Sequence, residues 1–168
     1  MERIRWSVEQ VDPGPGEQIL EIGCGGGTAA ALVCARFEAV GGGLTAIDRS
    51  ATAVKKTLAR NASCVAAGRL TVVQAAFTSG EVGGLGPFDK IFSINVNLFW
   101  TTPAREEIAL LRRLLVPGGT MFACWGRGPT PGRSDEIAAR TAARFTDAGF
   151  RTSVVSSAGL QCVRAISV

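Results

Sequence analysis

A short apolar run, Gln18-Ile19-Leu20-Glu21-Ile22, leads straight into Gly23-Cys24-Gly25-Gly26-Gly27. From Thr28 the chain is rich in Ala, Leu and Val, with no breaker until Gly41. A strand that turns into a helix within so few residues needs backbone conformations that glycine adopts without steric cost. Glycines at such a turn also let a ligand approach the backbone closely. The cluster therefore predicts a strand–turn–helix unit whose turn is a candidate binding loop.

The rest of the chain repeats the same alternation. Leu44-Thr45-Ala46-Ile47 reads as a second strand ending at Asp48, and Ser50 is an N-cap for a helix over 51–67 that Gly68 closes. Leu70–Val73 is a third strand, followed by a glycine-rich connection over 78–88. Asp89–Val96 is nearly continuous in apolar character, as a strand covered on both faces should be. A helix over Ala104–Val116 stops at Pro117-Gly118-Gly119, and Thr120–Trp125 is a fifth strand. A loop over 126–133, a helix over about 135–148 and two short strands in 150–168 complete the chain. Alternating strands and helices predict an α/β fold with helices on both faces of a mostly parallel sheet. At 168 residues it is expected to be a single domain, 1–168.

Composition removes whole classes of chemistry. The chain has no histidine and no tyrosine, which excludes a Ser-His-Asp triad, a Cys-His pair, histidine-bound zinc and tyrosine-dependent dehydrogenases. Its five cysteines, Cys24, Cys34, Cys64, Cys124 and Cys162, form no Cys-x-x-Cys pair, so no metal site is expected. Scattered in this way they read as buried thiols in a reducing compartment. The start Met-Glu-Arg-Ile-Arg-Trp lacks the apolar run of a signal peptide, and no apolar stretch approaches the roughly 20 residues that span a bilayer. A cytoplasmic protein with no membrane contact is expected. The predominance of arginine over lysine, with abundant Ala and Gly, suggests a GC-rich bacterial source. Lys55-Lys56 and Arg112-Arg113 read as solvated helix faces, and without a longer basic run nucleic-acid binding is disfavoured.

Three features fall at the carboxyl ends of strands, where open α/β sheets bind ligands. They are the glycine loop, Asp48 at the end of strand two, and Asn95 with Asn97 at the end of strand four. A carboxylate at position 48 can accept both hydrogen bonds of a ribose diol. A dinucleotide fingerprint would require glycine at 28, where Thr28 stands, and this argues against a nicotinamide oxidoreductase. The pattern is instead E-x-G-x-G-x-G, from Glu21 to Gly27.

Residues 19–28, I-L-E-I-G-C-G-G-G-T, resemble motif I of the class I S-adenosylmethionine-dependent methyltransferases. A-I-D at 46–48, F-D-K-I-F-S-I-N-V at 88–96 and L-V-P-G-G-T at 115–120 resemble later blocks of that family, in order and at the right spacing. The resemblance implies a seven-stranded Rossmann-like sheet of order 3-2-1-4-5-7-6 with the last strand antiparallel. It also implies S-adenosylmethionine as cofactor, with S-adenosylhomocysteine as product. It places Glu21, Gly23, Cys24, Gly25 and Gly27 at the methionine part, Asp48 and Arg49 at the ribose, and Ala76 with Phe77 at the adenine. Many relatives carry an Asp where Ala76 stands, so one polar contact to adenine is missing here. Nothing resembles an added lid domain, and the chain looks like the catalytic core almost alone.

In-line methyl transfer depends heavily on proximity and alignment, and it needs a general base only for a protonated nucleophile. Asn95 is the expected positioning group, both for the cofactor and at the reacting methyl. Phe99, Trp100 and Trp125 are candidate substrate walls, because a sulfonium favours an aromatic face, and Arg127 is a candidate contact for an acidic group. Asn97-Leu98-Phe99-Trp100 sits where amino-group methyltransferases carry Asn-Pro-Pro-Tyr, but both prolines are missing. Cys24 reads as a small residue that fits the turn, not as a nucleophile. The expected activity is methyl transfer to a small molecule. The alternative is a non-catalytic methyltransferase-like domain acting as a partner or regulatory subunit. Two arrangements would close so open a pocket: a homodimer, or the N-terminal segment around Trp6 folding over it.

Overall fold

The computed structural model describes residues 1–126 and 133–168. An N-terminal helix α1 (Glu2–Val11) precedes β1 (Gln18–Ile22), α2 (Thr28–Val40), β2 (Gly43–Asp48), α3 (Ala51–Arg60) and α4 (Ala62–Ala66). Next come β3 (Leu70–Gln74), α5 (Ser79–Val82), β4 (Phe88–Ile94), α6 (Leu98–Thr101), α7 (Arg105–Leu114) and β5 (Leu115–Trp125). The chain ends with α8 (Arg133–Asp147), β6 (Arg151–Ser157) and β7 (Leu160–Ile166). The strands form one sheet of order β3-β2-β1-β4-β5-β7-β6. The first five are parallel, and β7 runs antiparallel to both β5 and β6. Strand order reverses between β1 and β4, so a crevice opens beyond Ile22 and Ile94.

Two apolar cores cover the two faces of the sheet. One joins Leu20, Ile91, Met121 and Val163 to α6, α7 and α8 through Phe99, Leu111 and Phe145. The other joins Ile19, Ala46, Phe92 and Phe122 to α1, α2 and α4 through Val8, Val11, Phe37 and Cys64. This division follows the strand alternation, in which successive side chains point to opposite faces. β6 has mostly exposed side chains, as befits the edge strand of the sheet.

The helix expected over 51–67 breaks at Asn61, whose φ of −116° and ψ of 27° separate α3 from α4. Its side chain explains the break. Asn61 Nδ2 donates to Gly27 O (3.1 Å) and to Thr57 O (2.9 Å), tying the helices to the glycine loop. Strand β4 stops at Ile94, short of the expected Val96, because Asn95 is left-handed at φ 58°. β5 starts earlier than expected, at Leu115, and carries Pro117-Gly118-Gly119 inside the strand, where its register with β4 shifts between Phe88 and Lys90. The connection over 78–88 contains the single turn α5.

The five-thiol expectation holds for three residues. Cys24, Cys124 and Cys162 are free and buried, whereas Cys34 and Cys64 form a disulfide between α2 and α4, with Cα atoms 6.2 Å apart. Thirty residues separate the pair in sequence, and only the packing of α4 against α2 brings them together.

Asn61 is 4% exposed, so Asn61→Ala would remove two buried side-chain hydrogen bonds, to Gly27 O and to Thr57 O, and leave those carbonyls only their backbone donors Ala31 N and Asn61 N. The expected cost is about 1–3 kcal/mol, read as a lower urea midpoint with an unchanged slope. An unchanged midpoint would contradict this account of the helix break.

Candidate functional site

The glycine loop is docked on α3 and α4 through three consecutive carbonyls. Gly25 O accepts from Thr57 Oγ1 (3.1 Å), Gly26 O from Arg60 Nε (2.7 Å) and Gly27 O from Asn61 Nδ2 (3.1 Å). Gly27 has φ +75°, and a Cβ there would lie 2.8 Å from Thr57 Cα, so the close seat requires glycine. At Gly25, with φ +53°, a Cβ would meet nothing within 4 Å; this side of the loop faces open space. Asp48 holds the loop from the other side. Its Oδ2 accepts from Gly25 N (3.0 Å) and its Oδ1 from Ser50 N (2.9 Å). Ser50 in turn caps α3 by accepting from Ala53 N (3.3 Å), as the sequence predicts.

Two cavities open beside the loop. The smaller, of about 150 Å³, is lined by Glu21, Gly23, Cys24, Gly25 and Asn95, with Arg3 and Ile4 from α1. The larger, of about 540 Å³, is lined by Asp48, Arg49, Ala76 and Phe77 on one side and by Asn97, Thr101, Thr102 and Glu107 on the other. Gly23 and Asn95 line both, so the cavities meet at the switch point between β1 and β4.

Glu21 is 2% exposed, and its Oε2 has no hydrogen-bond partner. Burial, reinforced by the Asp48 charge, pushes its carboxyl up to about 8. Cys24 also stays protonated: burial outweighs the hydrogen bond from Thr57 and pushes the thiol up to about 11. That fits a small packing residue and not a nucleophile.

Asn95 has two donors within reach of its amide oxygen. In one orientation Gly126 N donates to it at 3.3 Å, which leaves the amide nitrogen facing the Arg3 guanidinium. In the other, Oδ1 rests against the Arg3 guanidinium, 2.9 Å from Nη2, 3.1 Å from Nε and 3.2 Å from Nη1. The second orientation sets the amide oxygen, and not the amide nitrogen, against the cation, and is the favourable one.

The sequence-predicted residues thus divide. Glu21, Gly23, Cys24, Gly25, Asp48, Arg49, Ala76, Phe77 and Asn95 line the joined cavities, while Gly27 lies beneath the loop as part of its seat. Phe99 is fully buried against Phe145 (ring centroids 5.5 Å apart) and belongs to the core. Trp125 is 4% exposed and packs on the half-buried Trp100 (5.1 Å); neither ring lines the cavities. Arg127 lies outside the described residues. Asn97-Leu98-Phe99-Trp100 forms the start of α6, whose Phe99 points into the core.

Other residues had no signal in the sequence. Arg3 and Ile4 come from the N-terminal helix, which closes the smaller cavity with its first turn, whereas Trp6, half-buried, packs against the core and lines neither cavity. Glu81 accepts from Ala76 N at 2.9 Å, which brings a carboxylate to the segment where position 76 carries none. Among the described residues no cluster of Cys, Asp and Glu could hold a metal ion, and no helix is long and apolar enough to cross a membrane.

Residues 19–119 match the model of a family described as Methyltransferase domain. No curated protein matches the chain by sequence. Among solved structures, the chain superposes on a SAM-dependent methyltransferase from Aquifex aeolicus with a TM-score of 0.77 and 18% identity, covering 98% of this chain and 89% of that one. A SAM-dependent O-methyltransferase from Thermotoga maritima gives 0.76 and 15% identity, covering 99% and 65%. Precorrin-6y C5,15-methyltransferase from Geobacter metallireducens gives 0.73 and 14%, covering 99% and 89%. At these identities the likeness is one of fold.

Glu21 makes stability depend on pH in a definite direction. Its folded-state value of about 8 lies above the ordinary 4.5, so between these values the folded chain binds more protons than the unfolded one. The wild type should therefore lose stability relative to Glu21→Gln as pH rises from about 5 to 8. Denaturant unfolding of both proteins across that range measures it, and parallel curves would contradict the burial argument.

Proposed function

Because the chain belongs to the methyltransferase domain family, as a class I S-adenosylmethionine-dependent member, we propose that residues 1–168 form one catalytic domain that methylates a small-molecule acceptor. The observation that carries this reading is the pair of cavities meeting at Gly23 and Asn95, at the switch point of the sheet.

The lining suits the cofactor. The unpartnered Oε2 of Glu21 offers an acceptor for an ammonium group, and the open face at Gly25 leaves room for a ligand against the loop. Glu21, Gly23, Cys24 and Gly25 would hold the methionine part. Asp48 would hold the ribose hydroxyls beside Arg49, with Ala76 and Phe77 around the adenine. Gly27 contributes through the seat of the loop. When bound, S-adenosylmethionine supplies a methyl group on a positively charged sulfur that is already a good leaving group.

The chain's own contribution is alignment. Asn95 stands where the two cavities meet, and its amide is fixed by the end of β4 and by Arg3. A preset dipole at that point needs no reorganisation during reaction, and holding two reactants in line removes much of the barrier. The outer wall formed by Asn97, Thr101, Thr102 and Glu107 offers hydrogen-bonding groups to an acceptor. The guanidinium and carboxyl groups lining the cavities are Arg3 and Arg49 against Glu21, Asp48 and Glu107. That mixture suits a small molecule better than a polyanion, whose binding needs a basic face.

A domain that serves a partner without transferring methyl groups is the competing reading, and Ala76 favours it. Calorimetry with S-adenosylhomocysteine decides between them. We expect micromolar binding, weakened about tenfold or more in Asp48→Ala, and methyl transfer from labelled S-adenosylmethionine to members of a small-molecule panel. Binding without transfer to any acceptor supports the partner reading, and no binding up to millimolar ligand overturns the enzyme reading.

A further inference from the structure

The smaller cavity has a charge pattern that the glycine motif does not explain. Its lining sets one carboxyl, Glu21 from β1, against one guanidinium, Arg3 from the first turn of α1. Among the described residues, the polar group set against the Arg3 guanidinium there is the neutral amide oxygen of Asn95, 2.9–3.2 Å from its three nitrogens. A guanidinium matches a carboxylate far better, because two parallel charge-assisted hydrogen bonds replace contacts to an uncharged acceptor. Its arm is also given a path. A Cβ on Gly126 would fall 2.7 Å from Arg3 Cδ, so the missing side chain at the end of β5 lets the arginine lie across the cavity mouth.

A cavity of about 150 Å³ with a carboxyl on one wall and a guanidinium on another complements an α-amino acid: ammonium to Glu21 and carboxylate to Arg3. Burial holds Glu21 neutral while no cation faces it, and an ammonium brought against it favours the charged form. We propose that Arg3 is the receptor for the carboxylate of the cofactor's amino-acid end, which makes the first turn of α1 part of the cofactor site. The proposal rests on the cofactor reading given above. Arg49 is not an alternative receptor, since it lines the larger cavity beside Asp48 and not the smaller one.

Arg3 can be changed without dismantling its helix, because α1 is anchored by Ser7, Val8 and Val11 in its C-terminal half. The test is calorimetry of wild type, Arg3→Met and Gly126→Val with S-adenosylhomocysteine and with its decarboxylated analogue. Wild type should prefer the carboxylated ligand by about tenfold to a hundredfold. In Arg3→Met the two ligands should bind within about threefold of each other, with affinity for the decarboxylated analogue close to that of wild type. Gly126→Val keeps the charge but displaces the arm, and it should lose part of the preference. If Arg3→Met retains the full preference, or if wild type shows none while binding both ligands, the assignment of Arg3 is wrong and the cofactor reading stands. Failure of wild type to bind either ligand overturns both.

Discussion

Three successive peptide carbonyls, those of Gly25, Gly26 and Gly27, are each taken by a side chain of α3 or by Asn61, which joins α3 to α4. This docking fixes the loop as a rigid turn. It accounts for the break at Asn61 and for the glycine needed at position 27, where Thr57 leaves no room for a Cβ. With those carbonyls committed to the helices, the opposite side of the loop is left to the cavity. Asp48 completes the hold by joining the end of β2 to Gly25 and to the start of α3. The position of the loop against β1, and therefore the meeting of the two cavities at Gly23, follows from these contacts.

Charge organises the site next. Glu21 is buried with one oxygen unpartnered, close enough to Asp48 for the second carboxylate to raise its proton affinity further. A buried acid with an unused acceptor is costly to ionise unless a cation arrives. The site therefore stores a preference for a positively charged group at Glu21. Arg3 supplies the opposite preference from across the same cavity, carried there by α1: Val8 and Val11 anchor the helix, and its first turn overhangs the site.

Much of the fold is legible in the sequence because its signals are local. The run Gln18–Ile22 followed by glycines and the Ser50 cap mark boundaries through backbone chemistry that needs no knowledge of neighbours. The strand order follows from the family resemblance, and the sheet has that order. The failures are tertiary. Asn61 reads as an ordinary helical residue until the loop carbonyl it serves is in place. Cys34 and Cys64 look unrelated until α2 and α4 pack together. Phe99 and Trp125 carry the right chemistry for a wall, yet the turn of α6 and the alternation of β5 send both into the core. Arg3 has no motif at all, and only the path of α1 over the sheet brings it to Asn95.

The central claim is that one ligand spans both cavities, with its amino-acid end between Glu21 and Arg3 and its nucleoside beside Asp48 and Phe77. A crystal structure of the chain grown with S-adenosylhomocysteine tests it directly. The account predicts density running from the smaller cavity past Gly23 and Asn95 into the larger one, with the ribose on Asp48 and the carboxylate on Arg3. Ligand density elsewhere on the molecule, or in the larger cavity alone with Arg3 still on Asn95, would contradict it.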